Sequence, residues 1–433
     1  MLAALRQRNF ALLWFGQLVS LIGDWVLIIA LPFFVYDLTR STLATGGMFI
    51  ALTVPRLLLG SVAGVFVDRW DRRRTMIAAD VSRAAILLPL LLVRSPERVW
   101  IVYLVAFLEA AIAQFFLPAK SAIIPRLVSE EDLLPANSLN SLSDSLTRLV
   151  GPALGGALFG LLGLASVVYL DSLSFLVSGL AIALIAVPPA PVPPSPAVAG
   201  EGSAASPARS AASPWAAVWR EWLDGLRLVR RDRLIAALFA IMATVMIGEG
   251  IMIVLLVAWT KGVLGGGAPE LGWLMSAQAV GGLTGGVLIG QVGKAFAPAR
   301  LMGLSGLAVG ALIIAIVNIP SLPIDLALIA LVGLTGVGLF VTGQTLLQSG
   351  VADEFRGRVF GALMTSWALA ELLGMALAGV LGGRAGVVPM FDAAGALYCA
   401  AGLLALALLG VAARERASQA AAQPVQGEAY RAG

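Results

Sequence analysis

Histidine is absent from this 433-residue chain, and cysteine occurs once, at Cys399. Without histidine there is no His-ligated zinc site, no imidazole general base and no imidazole proton relay. One cysteine excludes an intramolecular disulfide and a cysteine metal cluster. Charge is scarce as well: Asp, Glu, Lys and Arg make up 12% of the residues, against about 25% in a soluble globular chain. No HExxH, GxSxG, DFG-like or paired metal-carboxylate pattern occurs, which disfavours a membrane-embedded enzyme, and no GxxxxGK[ST] loop, which disfavours an ATP-driven pump. No metal or cofactor is implied.

What is present is apolar: 59% of the residues are hydrophobic and the mean hydropathy is +0.93. A hydrocarbon core of about 30 Å takes about 20 apolar residues per helix, and the apolar runs are long enough to be helices rather than barrel strands. The expectation is an all-α integral membrane protein with twelve spans. They fall near 10–36, 44–67, 75–93, 99–118, 140–163, 166–187, 234–259, 271–293, 300–318, 325–347, 358–383 and 389–411. The first run lacks a small-residue cleavage site and reads as a retained helix rather than a signal peptide.

The net charge of +4 sits in loops and carries no nucleic-acid signal. Most lysines and arginines fall in the terminal segments and even-numbered loops, while the opposite loops hold Arg40, Arg94, Arg98, Lys261 and Arg384. By the positive-inside rule both termini are cytoplasmic, in the cell's inner membrane. Arg56, Arg83 and Arg148 fall inside spans.

The segments then divide into a six-helix bundle over 1–187, a cytoplasmic linker over 188–233, a second six-helix bundle over 234–412 and a cytoplasmic tail over 413–433. The linker is rich in Pro, Ala and Ser and unable to bury a core. Its end places Trp215, Trp219, Trp222, Leu226 and Val229 at helical spacing beside Arg220, Arg227, Arg230 and Arg231, an interfacial amphipathic pattern. The halves also align with each other. Val128, Glu131, Gly151, Gly156 and Leu158 meet Val351, Glu354, Gly374, Gly379 and Leu381, and at nearly the same offset Gly60, Gly64 and Arg72 meet Gly282, Gly286 and Lys294. Duplication is the better reading.

Between the second and third spans lies GSVAGVFVDRWDRRRT. Gly60 and Gly64 make a small-xxx-small helix face that allows close approach, and Asp68 can face the positive N-terminal end of span eleven, near Arg358. Gly60, Gly64, Asp68 and Arg72 resemble the signature loop of the major facilitator superfamily. The resemblance implies twelve helices in two pseudo-symmetric bundles, with this loop as a latch on the cytoplasmic gate. LVGPALGG in span five, with Gly151, Pro152, Gly155 and Gly156, resembles the motif of that superfamily's drug and proton antiporters. RNFALLWFGQLVSLIGD, PAKSAIIPRLVSEEDLLPANSL and DEFRGRVFG look like the branch that holds enterobactin exporters and macrolide-efflux pumps. The resemblance implies a monomeric exporter of a bulky amphiphilic small molecule in exchange for protons, with an importer of the same fold as the alternative.

An ionisable group at membrane depth is costly, at least about 2.5 kcal/mol, and defaults to a functional hypothesis. Asp24, Arg56, Glu109, Glu249 and Glu371 fall near the midplane. Arg56 and Arg148 are available to Asp24 and Glu109, giving structural or gating pairs in the first half. Arg83 and Arg148 lie shallower, with Asp80 and Asp144 on their own helices as candidate partners. In the second half no basic residue lies at the depth of Glu249 and Glu371, and burial disfavours the charged form of such a group. Glu371 or Glu249 is therefore the expected proton carrier, with Asp24 next and Glu109 also placed to meet a cationic substrate. Asp171 and Asp392 read as near the outer surface, without a role. By the resemblance, the cavity-lining candidates are Gln17, Trp25, Phe33, Gln114, Phe115, Met246, Glu249 and Gln344.

Overall fold

The computed structural model describes residues 4–186, 227, 229, 232–351 and 353–410. Most of the linker, including the tryptophan-rich helix expected at its end, and the tail after 410 lie outside these residues, as do the side chains of Lys294 and Glu354. Among the described residues the regular structure is helical, without strands.

The first six helices are α1 (Arg8–Thr39), α2 (Thr42–Val67), α3 (Arg72–Leu87), α4 (Val99–Ile123), α5 (133–162) and α6 (164–183). The last two form one run, Leu133–Ala183, broken at Gly163, whose φ of 74° and ψ of −176° are not helical. Glycine tolerates that φ because it has no Cβ. Then follow α7 (Arg233–Gly262), α8 (Ala268–Val292), α9 (Pro298–Asn318), α10 (Leu322–Gly350), α11 (Asp353–Ala385) and α12 (Val387–Leu404). Eleven described runs are long and apolar enough to cross a membrane, and the one spanning Glu130–Ala183 bends into two, which makes twelve spans.

Local chemistry sets several of these ends. Asp71 caps α3 by accepting from the Arg74 backbone N–H at 2.7 Å. Asp232 caps α7 by accepting from Leu234 N and Ile235 N. Both satisfy donors that a helix start leaves orphaned. Arg73 of the basic loop donates to the Ile182 carbonyl at 3.1 Å and to Ala183, and Arg72 donates to the Ala122 carbonyl at 3.4 Å. A cation at a helix C-terminus suits its exposed carbonyls and its dipole.

The helices gather into two compact units. One holds α1, α2 from Gly47 onward, α3 to α6 and the short stretch Gly267–Gly272; the other holds Ser41–Gly46, α7, the chain from Trp273, and α9 to α12. In the first unit α1 packs along α5 and α6, and α3 packs on both that run and α4. Its apolar core joins Phe10, Leu13, Met76, Phe116, Ile123 and Ile182. In the second unit α7 packs on α11 and α12, and α9 on α10 and α12, around buried Trp259, Met302, Leu339 and Val359. Leu161 is 81% exposed and Leu134 76%, part of a widespread apolar exterior that lipid covers.

The seams within the two units repeat. A Cβ added at Gly151 of α5 would lie 2.5 Å from Trp25 Cβ of α1, and one at Gly155 would lie 2.7 Å from Val26 Cα. In the other unit a Cβ at Gly374 of α11 would lie 2.1 Å from the Ile247 carbonyl oxygen of α7. Gly151 and Gly374 are repeat partners by sequence, and each brings its helix onto the first helix of its own unit.

Candidate functional site

The centre of the first unit is Arg83 on α3. Its Nη2 donates to Asp24 Oδ1 of α1 at 2.8 Å. Its Nε donates to Glu109 Oε1 of α4 at 2.8 Å, with Nη2 on the same oxygen. The guanidinium carbon lies 4.0 Å from the centre of the Phe175 ring of α6, a cation–π contact. The Arg83 side chain is 8% exposed, Glu109 14% and Asp24 25%.

Two more carboxylates are buried in the same unit. Asp171 of α6 is fully buried; its Oδ1 accepts from the Ser174 hydroxyl at 3.2 Å, and its Oδ2 has no hydrogen-bond partner. It abuts α1 where that helix has no side chain: a Cβ at Gly23 would lie 2.2 Å from Asp171 Oδ1. Asp80 of α3 is fully buried with both carboxylate oxygens unpartnered. Two turns from Asp171 on α6, Ser178 accepts a 2.9 Å hydrogen bond from Gln17 of α1.

This corrects the expected pairing. Arg56 and Arg148 are both exposed, and the cation bound to Asp24 and Glu109 is Arg83. Sequence position gave Arg83 a shallower depth than its targets, but its long side chain spans the difference. Asp171 likewise is an interior residue, not a surface one. The missed signal was helical spacing: Gln17, Ser20 and Asp24, then Asp171, Ser174 and Ser178, each recur on one helix face. Among the described residues no group of three or more carboxylate, thiol or imidazole side chains converges to hold a metal ion.

In the second unit the Tyr398 hydroxyl of α12 donates to Glu249 Oε2 of α7, a contact the sequence reading did not include. The Glu371 backbone carbonyl abuts Gly250, where a Cβ would lie 2.2 Å from its oxygen. Both glutamates are half-buried.

The cavity candidates separate. Gln17, Phe33 and Met246 are buried; Gln17 serves Ser178, and Phe33 packs edge-on against Phe159 at 6.0 Å. Trp25 is half-buried against Gly151, and Gln114 is half-buried with its amide on the Ala110 carbonyl. Phe115 stacks on Trp70 at 5.8 Å, next to Phe66. Gln344 is exposed on α10, close along the helix to Thr345, Gln348 and Ser349. Those three line an open cavity of about 790 Å³ with Arg356, Gly357 and Phe360.

The latch and antiporter residues are also located. Asp68 and Arg358 are exposed. Gly60 and Gly64 do not form the close seam expected of them. A Cβ at Gly60 would meet Gln114 Oε1 at 3.6 Å, and one at Gly64 would meet nothing within 4 Å. Gly151 and Gly155 seat α5 on α1, while a Cβ at Gly156 would lie 2.3 Å from the Ala268 carbonyl oxygen and one at Gly272 would lie 2.2 Å from that of Pro152.

Twelve membrane-length helices in two repeating units, one built around a buried ion cluster, define a secondary membrane transporter. The family described as transmembrane secretion effector matches residues 1–429, and the chain belongs to that family of the major facilitator superfamily. It is 27% identical to the major-facilitator-type transporter YfiS of Bacillus subtilis over 412 residues, covering 92% of this chain and 93% of YfiS. It is 28% identical to the multidrug efflux pump Tap of Mycolicibacterium fortuitum, covering 88% and 90%. Macrolide efflux protein A of Streptococcus pyogenes matches at 29% identity over 42% of this chain and 45% of its own length. A bacterial homologue of the iron transporter ferroportin, inward-facing, superposes with a TM-score of 0.68 at 16% identity, covering 94% of this chain and 98% of that one. A bacterial homologue of the lysosomal transporter Spinster gives 0.66 at 15% identity, covering 94% and 96%. The two structural likenesses concern the fold alone.

Proposed function

We propose that this chain exports bulky amphiphilic small molecules across the inner membrane in exchange for protons, by alternating access, and that Asp24 and Glu109 around Arg83 are the coupling carboxylates. The observation that carries this reading is the charge balance in the first unit. One guanidinium serves Asp24 and Glu109 while Asp80 and Asp171 are buried beside them. Arg83, even with Lys120 of α4 acting on Asp24 from farther off, cannot neutralise four carboxylates, and each uncompensated buried charge costs several kcal/mol, so protons complete the balance. Proton arrival on Asp24 or Glu109 frees Arg83 from one of its two partners. A change of partner of that kind is a two-state element able to bias one opening over the other.

Efflux, rather than uptake, is supported by the likeness to the multidrug efflux pump Tap and to macrolide efflux protein A and by the Gly-Pro-x-x-Gly-Gly pattern at Gly151, Pro152, Gly155 and Gly156. An adaptable amphiphile suits the stacked Phe66, Trp70 and Phe115. Asp68, Arg72 and Arg358 act as the gate latch in this reading, both termini are cytoplasmic, and the monomer is the working unit. Glu249, held by Tyr398, and Glu371 become second-unit candidates for the same proton.

The test is efflux from proteoliposomes under an imposed pH gradient, with a lipophilic dye as substrate. Asp24→Asn and Glu109→Gln are expected to lose gradient-driven efflux, and Glu249→Gln and Glu371→Gln to lose less. Wild-type gradient-driven efflux in both first-unit variants would move coupling away from Arg83.

A further inference from the structure

The buried polar groups of the first unit do not stop at Arg83. On α1 they run Gln17, Ser20, Asp24; on α3, Asp80 and Arg83; on α6, Asp171, Ser174, Ser178. Each set lies on one helix face, and the three faces meet. Gln17 donates to Ser178. A Cβ at Gly16 would lie 3.3 Å from Ser178 Cα, and one at Gly179 would lie 3.4 Å from Asp80 Cβ. A Cβ at Gly23 would touch Asp171 and Ser174, and Arg83 stacks on Phe175.

The result is a two-level seam inside the bundle. Asp24, Arg83, Asp171 and Ser174 form one level. Gln17, Asp80 and Ser178 form another, separated along α1 and along α6 by seven residues, or about 10 Å of helix. Because α1 and α3 begin, and α6 ends, at the side where the arginine-rich loops gather, the second level lies toward the expected cytoplasmic face. Arg73 and Asn9 finish the line there, on the carbonyls of Ile182, Ala183 and Ala186.

Among the described residues Asp80 is the buried carboxylate with both oxygens outside hydrogen-bond geometry. It is fully buried, and neither carboxylate oxygen has a hydrogen-bond partner. The Ser178 hydroxyl of α6 acts on the Asp80 carboxyl without meeting strict hydrogen-bond geometry. A residue kept only for structure would be satisfied. The charged groups facing it are Arg83 on its own helix and Asp24 on α1, with Glu109 and Lys120 on α4 and Asp171 on α6 around the same cluster.

We propose that Asp80 is the proton exit relay, carrying each coupling proton from the Arg83 level to the cytoplasm through the interior of the first bundle, separate from the substrate's route. The proton leaves the Asp24 or Glu109 carboxyl, is taken by the Asp80 carboxylate, and passes to cytoplasmic water through the Ser178 hydroxyl, which releases its own proton as it takes one, while Gln17 orients that hydroxyl by donating to it. No electrons move, and the donor carboxylate returns to Arg83. Two pathways in one protein let a bulky substrate and a proton cross without sharing a cavity. This inference rests on the proton-coupled reading above.

The experiment follows two readouts in proteoliposomes holding a pH-sensitive dye: pH-gradient-driven substrate efflux with its accompanying proton flux, and substrate counterflow without a gradient. Asp80→Asn is expected to slow gradient-driven efflux and proton flux at least about tenfold, in the range that a lost proton-transfer group produces, while counterflow persists. Asp80→Glu is expected to restore part of the flux, and Ser178→Ala to slow it about threefold by the same logic. Should Asp80→Asn not fold, Ser178→Ala and Gln17→Met still decide the matter. Wild-type proton flux in Ser178→Ala and Gln17→Met, or in a folded Asp80→Asn, overturns the relay. Equal loss of counterflow and gradient-driven efflux in Asp80→Asn also overturns it, since that is a structural defect. Asp24→Asn and Glu109→Gln separate the two proposals: if both keep wild-type coupling the Arg83 reading itself fails, whereas loss there with normal flux in Asp80→Asn removes only the relay.

Discussion

Arg83 carries two carboxylates on one guanidinium, an arrangement that suits a planar fork with five donors better than a compact ammonium with three. Nε and Nη2 both reach Glu109 Oε1 while Nη2 also reaches Asp24. The face of the group rests on Phe175. Removing the cation leaves Asp24 and Glu109 buried and uncompensated. Arg83→Gln is therefore expected to destabilise the protein by about 3–5 kcal/mol, the usual result of breaking a buried pair from one side. Arg83→Lys should recover part of this, because it restores charge without the fork. Thermal unfolding in detergent reads both, and combining Arg83→Gln with Asp24→Asn should return stability toward wild type. Additive losses in that double variant would mean the two residues do not share their energy.

Helix seams show what glycine spacing can and cannot tell. Gly155 sits where a Cβ would press on the Val26 backbone at 2.7 Å, and backbone cannot rotate away as a side chain can. Gly64, equally prominent in the sequence, has open space around its would-be Cβ. Gly155→Val is accordingly expected to cost about 1–3 kcal/mol through overpacking. Gly64→Ala should change stability by no more than about 0.5 kcal/mol. Melting temperatures of the two variants, measured side by side, check the contrast. The twelve spans and the seam at Gly151 and Gly155 were legible in the sequence, because hydropathy length and small-residue spacing are properties of one helix at a time. Arg83's partners were not legible. Spacing says which residues share a face, but which faces meet depends on the packing of α1, α3, α4 and α6, and a long arginine side chain blurs depth further. Tyr398 was missed for the same reason: its helix and that of Glu249 are far apart in the chain.

For the whole molecule, the direction of transport is read against the face of the membrane each loop occupies, and the assignment we propose comes from the arginines. Arg69, Arg72, Arg73 and Arg74 gather before α3, and Lys120 and Arg126 before α5, while the loop between α3 and α4 carries Arg94 and Arg98. The positive-inside rule then puts the loop before α5 in the cytoplasm and the loop before α4 outside. The single cysteine makes this simple to check. In a Cys399→Ser background, cysteine introduced at exposed Glu97 should react with a membrane-impermeant maleimide in intact cells, and cysteine at exposed Ser129 should react only after permeabilisation. The reverse pattern would turn the chain over and, with it, the exit side reached through Asp80. Once orientation is fixed, flux in vesicles of known sidedness separates an exporter from an importer. Substrate driven by a pH gradient should accumulate in inverted vesicles and not in right-side-out ones. Asp68→Asn should weaken that accumulation without altering stability, because Asp68 is exposed and its proposed role is in gating rather than in packing.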